Sequence, residues 1–540
     1  MSEVILNIAK IRWFDFDKKH MRMEFHLEKV CAKEKKRIVL WYLFEKEFES
    51  YLCIDRCDAV IITLFFAAMK YGYTKICSKY PISKKLYYNL SYHIIPQLYA
   101  IDKRSLSRLK LEIPLIDSCF CGDRVATGMS RGVDSFATLY EYGKRCNLDG
   151  YRLNLLTYFQ VGAHHGYDET MGHSKESRQE LFEHQMEKTR EFCKQEGYPL
   201  LVVETNVDDV LEHSDLFREH SFDRTHTFRN LGIATLFQRG IHRYYYSSTY
   251  NLTDFKFKIE GDIAYSEKWF IPLLSTGSIE FYSANQEWTR MEKVEKISQM
   301  KECYNYLQVC LVKSGNCGGC MKCKRTLLEL DALGDDVLEK WGGSFNLATY
   351  KEEKRNKWFS SLADDKDKNM NEAHYYDEVL LCASKYHPEL LGNMIQSVET
   401  DIKNVVVQYD LINIRELPSF KAPILDVAKK EDVFPYIGNY GSWVAIDLKN
   451  GRRAYLIRKG VTLTKDTVKA LNIESGGKCK ICWERVNLRD LPNRNSKIVG
   501  FGEAGNVFVL HRDLGSWVSV DLNDGTIAYV VKDAVELDRY

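Results

Sequence analysis

Between residues 124 and 248, short apolar runs alternate with longer amphipathic ones. RVATG at 124–128, YRLNLLTYF at 151–159, LLVVE at 200–204 and RYYYSS at 243–248 have the pattern of strands. Residues 134–145, 176–196 and 228–239 have helical spacing. Strands separated by helices of this length predict βαβ units and a parallel sheet with helices on both faces. In such a sheet ligands bind outside the carboxyl ends of the strands. Four segments are thereby gathered on one rim: the loop 130–135, QVGAHHG at 160–166, TNVDD at 205–209 and SSTYN at 247–251.

The flanking regions read differently. Residues 1–120 mix β-like runs such as KRIVLWYLF at 36–44 with a helix over 58–71 and a helical stretch over 83–98. They hold no cluster of ligand-type side chains, which suits an N-terminal α/β packing or homodimerisation domain, with Asp58 and Lys70 as solvated helix ends. Residues 341–402 form a charged, helical linker. Its polar run at 363–371 is expected to be an exposed loop, and His374 and His387 to be solvated. After that the pattern repeats. LINIRELP at 411–418 returns as RVNLRDLP at 485–492, and GSWVAIDLKNG at 441–451 returns as GSWVSVDLNDG at 515–525, each 74 residues later. Short alternating strands with Asn-Gly and Asp-Gly turns predict two small β-barrels, 403–465 and 479–540, with Trp443 and Trp517 in their cores.

Composition adds bounds. A chain of 540 residues is too long for one core, so several domains are expected. With 76 Lys+Arg against 75 Asp+Glu, nothing suggests a protein that coats nucleic acid. The longest apolar run, 59–69, is too short to cross a bilayer. The chain starts without the basic and apolar regions of a signal peptide, and sixteen Cys fit a reducing compartment, so a cytoplasmic location is expected.

The chemistry concentrates in two motifs of the 121–340 region. The loop Ser130, Arg131, Gly132, Val133, Asp134, Ser135 lies between a strand and a helix. It supplies hydroxyls, a Gly that lets backbone approach a ligand, and amides at a helix N-terminus, all suited to an oxyanion such as phosphate. Further on, Cys310, Cys317, Cys320 and Cys323 have a spacing that closes a tetrahedral Zn²⁺ site; an iron–sulfur cluster could also use four Cys. A Cys₄ site is structural rather than catalytic. A lone CxxC at Cys479 and Cys482 lacks a second pair. His164, His165, His173, His220 and His226 are candidates for proton transfer on the rim. Arg229 and Arg325 fit either a phosphate or carboxylate ligand or helix-surface ion pairs. Glu280, Arg290 and Glu292 could approach the site from a loop.

The loop resembles the S-G-G-x-D-S signature of PP-loop ATP pyrophosphatases, which have the adenine nucleotide alpha-hydrolase (HUP-like) fold. The Cys spacing followed by Arg325 is similar to the zinc motif of 7-cyano-7-deazaguanine synthases, members of that superfamily. The resemblance covers roughly residues 120–335. The C-terminal barrels resemble bacterial SH3-like domains through N-I/L-R-x-L-P and G-S-W-V. The resemblance implies an ATP-dependent ligase that forms carbon–nitrogen bonds. ATP with Mg²⁺ adenylates a carboxylate or amide oxygen, pyrophosphate leaves, and ammonia or another nucleophile displaces AMP. It gives Ser130, Asp134 and Ser135 catalytic roles, and nucleotide binding to Ser130–Ser135 together with Phe159 and Gly162. Asn206, Asp208 and Asp209 could face the nucleotide or metal.

Arg131 stands where the family has Gly. Its Cβ restricts the backbone if φ is positive, and its guanidinium would either clamp phosphate or fill the pocket. Sulfur transfer is an alternative that requires a persulfide-carrying Cys, with Cys119, Cys121 and Cys193 as candidates. A non-catalytic nucleotide-binding scaffold is the third reading. The barrels imply a protein partner or protein substrate; neither a membrane nor nucleic acid is implied.

Overall fold

The computed structural model describes residues 3–31, 34–163, 175–217, 222–257, 261–310, 313–368, 373–387, 398–448, 452–465, 477–522 and 526–538. The chain divides into two compact units, Met1–Lys354 and Arg355–Tyr540.

The first unit is built on one ten-stranded mixed sheet. Its strands are β1 (Val4–Asp15), β2 (His20–Cys31), β3 (Glu34–Glu45), β4 (Lys75–Ser78), β6 (Lys110–Glu112), β8 (Arg124–Gly128), β9 (Leu155–Phe159), β10 (Leu200–Thr205), β11 (Ile241–Ser247) and β12 (Glu280–Ala284). Two short strands, β5 (Ile82–Ser83) and β7 (Leu115–Ile116), pair separately. The sheet order is β12-β11-β8-β9-β10-β3-β2-β1-β4-β6. All neighbours from β12 to β10 are parallel, and of these β8 to β11 are the parallel strands predicted for 124–248. β12 was not predicted, because IEFYSANQ reads as a loop. The sheet as a whole is not all parallel: β10 pairs antiparallel with β3, and the hairpins β1–β2–β3 continue antiparallel.

The predicted boundary at residue 120 therefore falls within one sheet. Asn206 extends the join past the end of β10. Its side-chain amide accepts from Trp41 N at 2.8 Å and donates to Val39 O at 2.9 Å, in place of the next ladder bonds.

The helices of this unit include α1 (Asp58–Lys70), α2 (Lys84–Asn89), α3 (Ile95–Ile101), α4 (Val133–Tyr142), α5 (Lys175–Glu196), α6 (Val207–Glu212), α7 (Phe222–Leu236), α8 (Glu267–Phe270), α9 (Arg290–Ile297) and α10 (Met321–Ala332). α1 is apolar all round and is buried from Asp58 to Met69. It crosses α7 where Gly232 lies so close that an added Cβ would sit 2.1 Å from Thr63 Oγ1. Asp58 is not a solvated helix end as predicted: it is buried, accepting from Ser83 N at 2.7 Å and from Gln238 Nε2 at 3.0 Å. Among the described residues no helix is long and apolar enough to cross a membrane.

The second unit opens with two helices, Arg355–Lys368 and Ala373–Tyr386. Helix runs to Lys368, through most of the segment predicted as a loop, and His387 is buried rather than solvated. Two seven-stranded antiparallel sheets follow with the same strand order. The repeat reaches into the register: Arg415 pairs with Tyr455, and Arg489 with Tyr529. Trp443 and Trp517 are buried, at 2% and 8% exposed, but not in the barrel cores as predicted. Trp443 packs with Ala445 and Tyr455 on the opposite face of its strand from the core residues Val444 and Ile446, and Trp517 packs with Leu514, Tyr529 and Val427 of the first barrel. Cys479 is buried in the second barrel while Cys482 is exposed. The barrels are locked together by Arg512 of the second, which donates to Asp426 at 3.2 Å, to Val427 O at 2.9 Å and to Asp432 of the first. Beside these bonds Val427 packs among Leu514, Trp517 and Tyr529.

Candidate functional site

The strand order reverses at β8. The chain passes from β8 outward to β9 and β10, then returns to the other side of β8 for β11 and β12. A crevice opens at such a reversal outside the carboxyl ends of the strands. The loop Met129–Gly132 and the N-terminus of α4 lie there. Ser135 Oγ donates to Gly132 O at 3.0 Å, and Gly132 N donates to Ser130 Oγ at 3.3 Å. Among the described residues the amides of Val133 and Asp134 make no hydrogen bond, so they carry the unsatisfied positive end of α4.

Arg131 has φ 60°, a left-handed conformation that glycine takes without strain. Its guanidinium turns inward. It is 4% exposed and donates to Thr189 Oγ1 at 3.1 Å, to Tyr306 O at 3.1 Å and to Gln185 Oε1. The side chain is thus a brace beneath the loop, and its carbonyl accepts from Gln308 N at 2.9 Å. Gln185 continues the brace by donating to Ser314 O, inside the Cys segment, at 2.9 Å.

Asp134 meets two cations from α9. Lys293 Nζ lies 3.1 Å from one carboxylate oxygen and Arg290 lies 3.3 Å from the other. Burial alone would raise its pKa, but Lys293 and Arg290 outweigh burial and hold it below its ordinary value. Arg290 also reaches Glu329 of α10 at 3.2 Å, and Lys293 donates to Ser248 O after β11. Arg325 lies 3.8 Å from Glu329. A further ammonium, Lys322, stands within electrostatic reach of Asp134. The loop mouth therefore carries excess positive charge. Sequence reading offered Arg290 as an approach to the site but missed Lys293 and Lys322. A signal for Lys293 was present, since Arg290 and Lys293 are one turn apart and share a helix face. Glu292 closes the capping box of α9 with Thr289, and Glu280 pairs with Arg243 at 3.1 Å.

Phe159 and Gly162 line a small cleft with Phe182, Thr205, Asp208 and Asp209, at the ends of β9 and β10. Gly162 has φ +94°, and a Cβ there would lie 2.3 Å from Asp208 Oδ1. Arg229, fully buried, donates to Asp208 at 2.6 Å, to Glu212 at 2.8 Å and to Val161 O at 2.7 Å. These bonds make Arg229 a support for the cleft wall. Burial, with Asp208 beside it, pushes Glu212 up to about 7 against the pull of Arg229. Asn206 is committed to the sheet seam. His164, His165, His173 and His220 lie outside the described residues.

The four sulfurs of Cys310, Cys317, Cys320 and Cys323 all lie within 4.8 Å of one another, with two pairs at 3.9 Å. Thiolates about 2.3 Å from one tetrahedral ion would be about 3.8 Å apart, so the donor set can hold a metal ion and fits zinc. Sulfurs this close surround a single ion rather than a cluster of irons. Cys320 is the N-cap of α10 and Cys323 lies in its first turn, so the knuckle fixes the start of the helix that carries Lys322, Arg325 and Glu329.

Neither a family model nor a curated protein matches this chain. Solved structures that resemble it include NlpC1 from Trichomonas vaginalis, at 10% identity and TM-score 0.12, covering 25% of this chain and 45% of that one. An NlpC/P60 family protein from Bacillus cereus is similar at 11% identity and TM-score 0.12, over 25% and 56%. The endolysin LysPBC5 CBD is similar at 18% identity and TM-score 0.10, over 25% and 94%. The chain spans about half the length of the first two. At these TM-scores the likenesses carry no argument about activity.

Proposed function

We propose that this protein is an ATP-dependent ligase of the PP-loop pyrophosphatase type, similar to 7-cyano-7-deazaguanine synthase. It adenylates a carboxylate or amide oxygen with release of pyrophosphate, and ammonia or another nucleophile then displaces AMP. The observation that carries the reading is the loop Ser130–Ser135 at the strand-order reversal, with free amides of α4 on one side and Lys293, Arg290 and Lys322 on the other. Donors preset around a polyphosphate stabilise the charge that develops on the leaving pyrophosphate without reorganising.

In this reading Ser130, Gly132 and the α4 amides hold the phosphates, with Ser135 closing the loop from within. Asp134 orients Lys293 and Arg290, and Phe159 and Gly162 border the adenosine. Both Asp134 oxygens are engaged by cations, so the loop is not a ready-made Mg²⁺ cage; Mg²⁺ would arrive on ATP with its own waters. Zinc in the Cys₄ knuckle would be structural, anchoring α10. The barrels, read as SH3-like, would recruit a protein partner or substrate, and free thiols suit the cytoplasm. The alternative of sulfur transfer loses one of its three carriers: Cys193 is 2% exposed and burial pushes its thiol up to about 12.

The test is calorimetry with a non-hydrolysable ATP analogue and Mg²⁺, followed by pyrophosphate release with ATP and a 7-deazaguanine carboxylic acid. Binding that disappears in Lys293→Met is expected; a wild-type protein that neither binds the analogue nor releases pyrophosphate would sink the reading.

A further inference from the structure

A second polar cluster adjoins the loop and has no part in holding ATP. His226 of α7 places Nδ1 2.7 Å from Tyr246 Oη, near the carboxyl end of β11, and Nε2 3.1 Å from Asp262 Oδ1. Asp262 is fixed by accepting from Ala264 N at 2.9 Å. Burial works against its charge, but the His226 hydrogen bond holds it ionised, below its usual value. An ionised Asp262 accepts a hydrogen bond from Nε2–H, which leaves Nδ1 as the acceptor for the Tyr246 hydroxyl. The result is a carboxylate–imidazole–phenol chain ending at Tyr246 Oη.

Thr227 Oγ1 touches both Tyr246 Oη, at 3.5 Å, and Glu267 Oε2, at 3.2 Å. Glu267 is fully buried, yet its other oxygen, Oε1, has no hydrogen-bond partner. Lys268 Nζ next to it is likewise buried and unpartnered. Polar atoms left unsatisfied in a protein interior call for a ligand or water. Lys268 feels the charge of Lys293, and Asp262 that of Lys322, so this cluster and the phosphate loop share one electrostatic space.

We propose that Tyr246, backed by His226 and Asp262, accepts the proton of the amine that displaces AMP, and that Glu267 Oε1 holds that amine. The inference rests on the adenylating reading above. The amine lone pair attacks the acyl carbon, and the bond from that carbon to the phosphate oxygen breaks, its electron pair leaving with AMP. The surplus N–H proton passes to Tyr246 Oη as the phenol proton moves to His226 Nδ1, giving an imidazolium paired with Asp262. Burial pushes the Tyr246 phenol well above its ordinary value, which suits a group that passes a proton on without resting as phenolate. The nucleophile is neutral ammonia or a small primary amine, because Lys268 and Lys293 repel an ammonium ion. Tyr246 and Glu267 touch the reacting molecule; His226 and Asp262 act through Tyr246 as positioning residues.

The test separates the two half-reactions in full-length protein, with a 7-deazaguanine carboxylic acid as probe. ATP–pyrophosphate exchange reads adenylation, and ammonia-dependent amide formation reads the second step. Tyr246→Phe, which removes only the hydroxyl, is expected to keep exchange within about 3-fold and lose roughly 100-fold or more in amide formation. His226→Gln should follow it. Hydroxylamine, a strong nucleophile that is a weak base, should restore product in Tyr246→Phe. Amide formation in Tyr246→Phe equal to wild type would overturn the inference alone. Exchange and amide formation falling together would overturn it in favour of a structural role. No exchange in the wild-type protein would overturn the adenylating reading and this inference with it.

Discussion

Arg131 carries opposing costs. Its left-handed φ costs about 1 kcal/mol, whereas its three buried donor contacts are each worth about that or more. Arg131→Gly is therefore expected to lower the melting temperature while changing affinity for an ATP analogue by less than about 3-fold at low temperature. A large loss of affinity would return the guanidinium to the phosphate. Asp134 gives a pH signature. Its folded pKa lies below the ordinary 3.8, so its pairing stabilises the fold above that value and is lost as pH falls through the lower one. Urea unfolding followed from about pH 2 to 5 should show this loss, moved to higher pH in Lys293→Met, which leaves Asp134 short of a cation at a cost of about 3 kcal/mol. Glu267 works in the opposite direction. Burial raises it from 4.5 to about 7, so the native state binds the extra proton and stability falls as pH rises between those values. The slope, on the order of 3 kcal/mol in all, should vanish in Glu267→Gln. The motif residues of the loop were legible because their chemistry is local. Lys293, Glu267 and the buried role of Arg229 were not, because their partners lie 21 to 159 residues away in sequence.

At the scale of elements, α10 joins the two motifs that the sequence displayed separately. The Cys knuckle holds its first turn, and Lys322, Arg325 and Glu329 follow along it. Cys320→Ser, or removal of metal by a strong chelator, is expected to loosen that turn and abolish pyrophosphate release while circular dichroism still reports the barrels. Elemental analysis should find one zinc per chain in the wild type, and a metal-free, fully active protein would contradict the arrangement. The Cys spacing was readable because adjacent ligands must come from adjacent residues. The strands β8 to β11 were readable from their apolar runs between helices. β12 was not, because its edge position leaves Tyr282 exposed and breaks the run. Nor was the pairing of β10 with β3, since a hairpin rich in alternation looks complete by itself and nothing local names its neighbour.

For the whole molecule, the 74-residue repeat proved the most faithful guide, preserving strand order and cross-strand partners in both barrels. The sequence did not reveal that the copies interlock through Arg512. Arg512 is buried and its contacts to Asp426 and Asp432 are part-buried, so Arg512→Ala should cost about 2 kcal/mol in the barrel transition and split it into two. Duplication also has an arithmetic of its own. The face of the first barrel that receives the second is centred on Val427, and 74 residues on stands Phe501, 50% exposed in an edge strand beside exposed Ile498. The anchors Asp426 and Asp432 become Gly500 and Asn506. A stack of identical tiles always ends on one uncovered tile, and here the last has lost the acidic anchors that would select an Arg-bearing copy while keeping the greasy surface. Concentrated protein should accordingly self-associate slowly through this strand. Phe501→Lys should suppress that association in sedimentation experiments without altering the melting temperature.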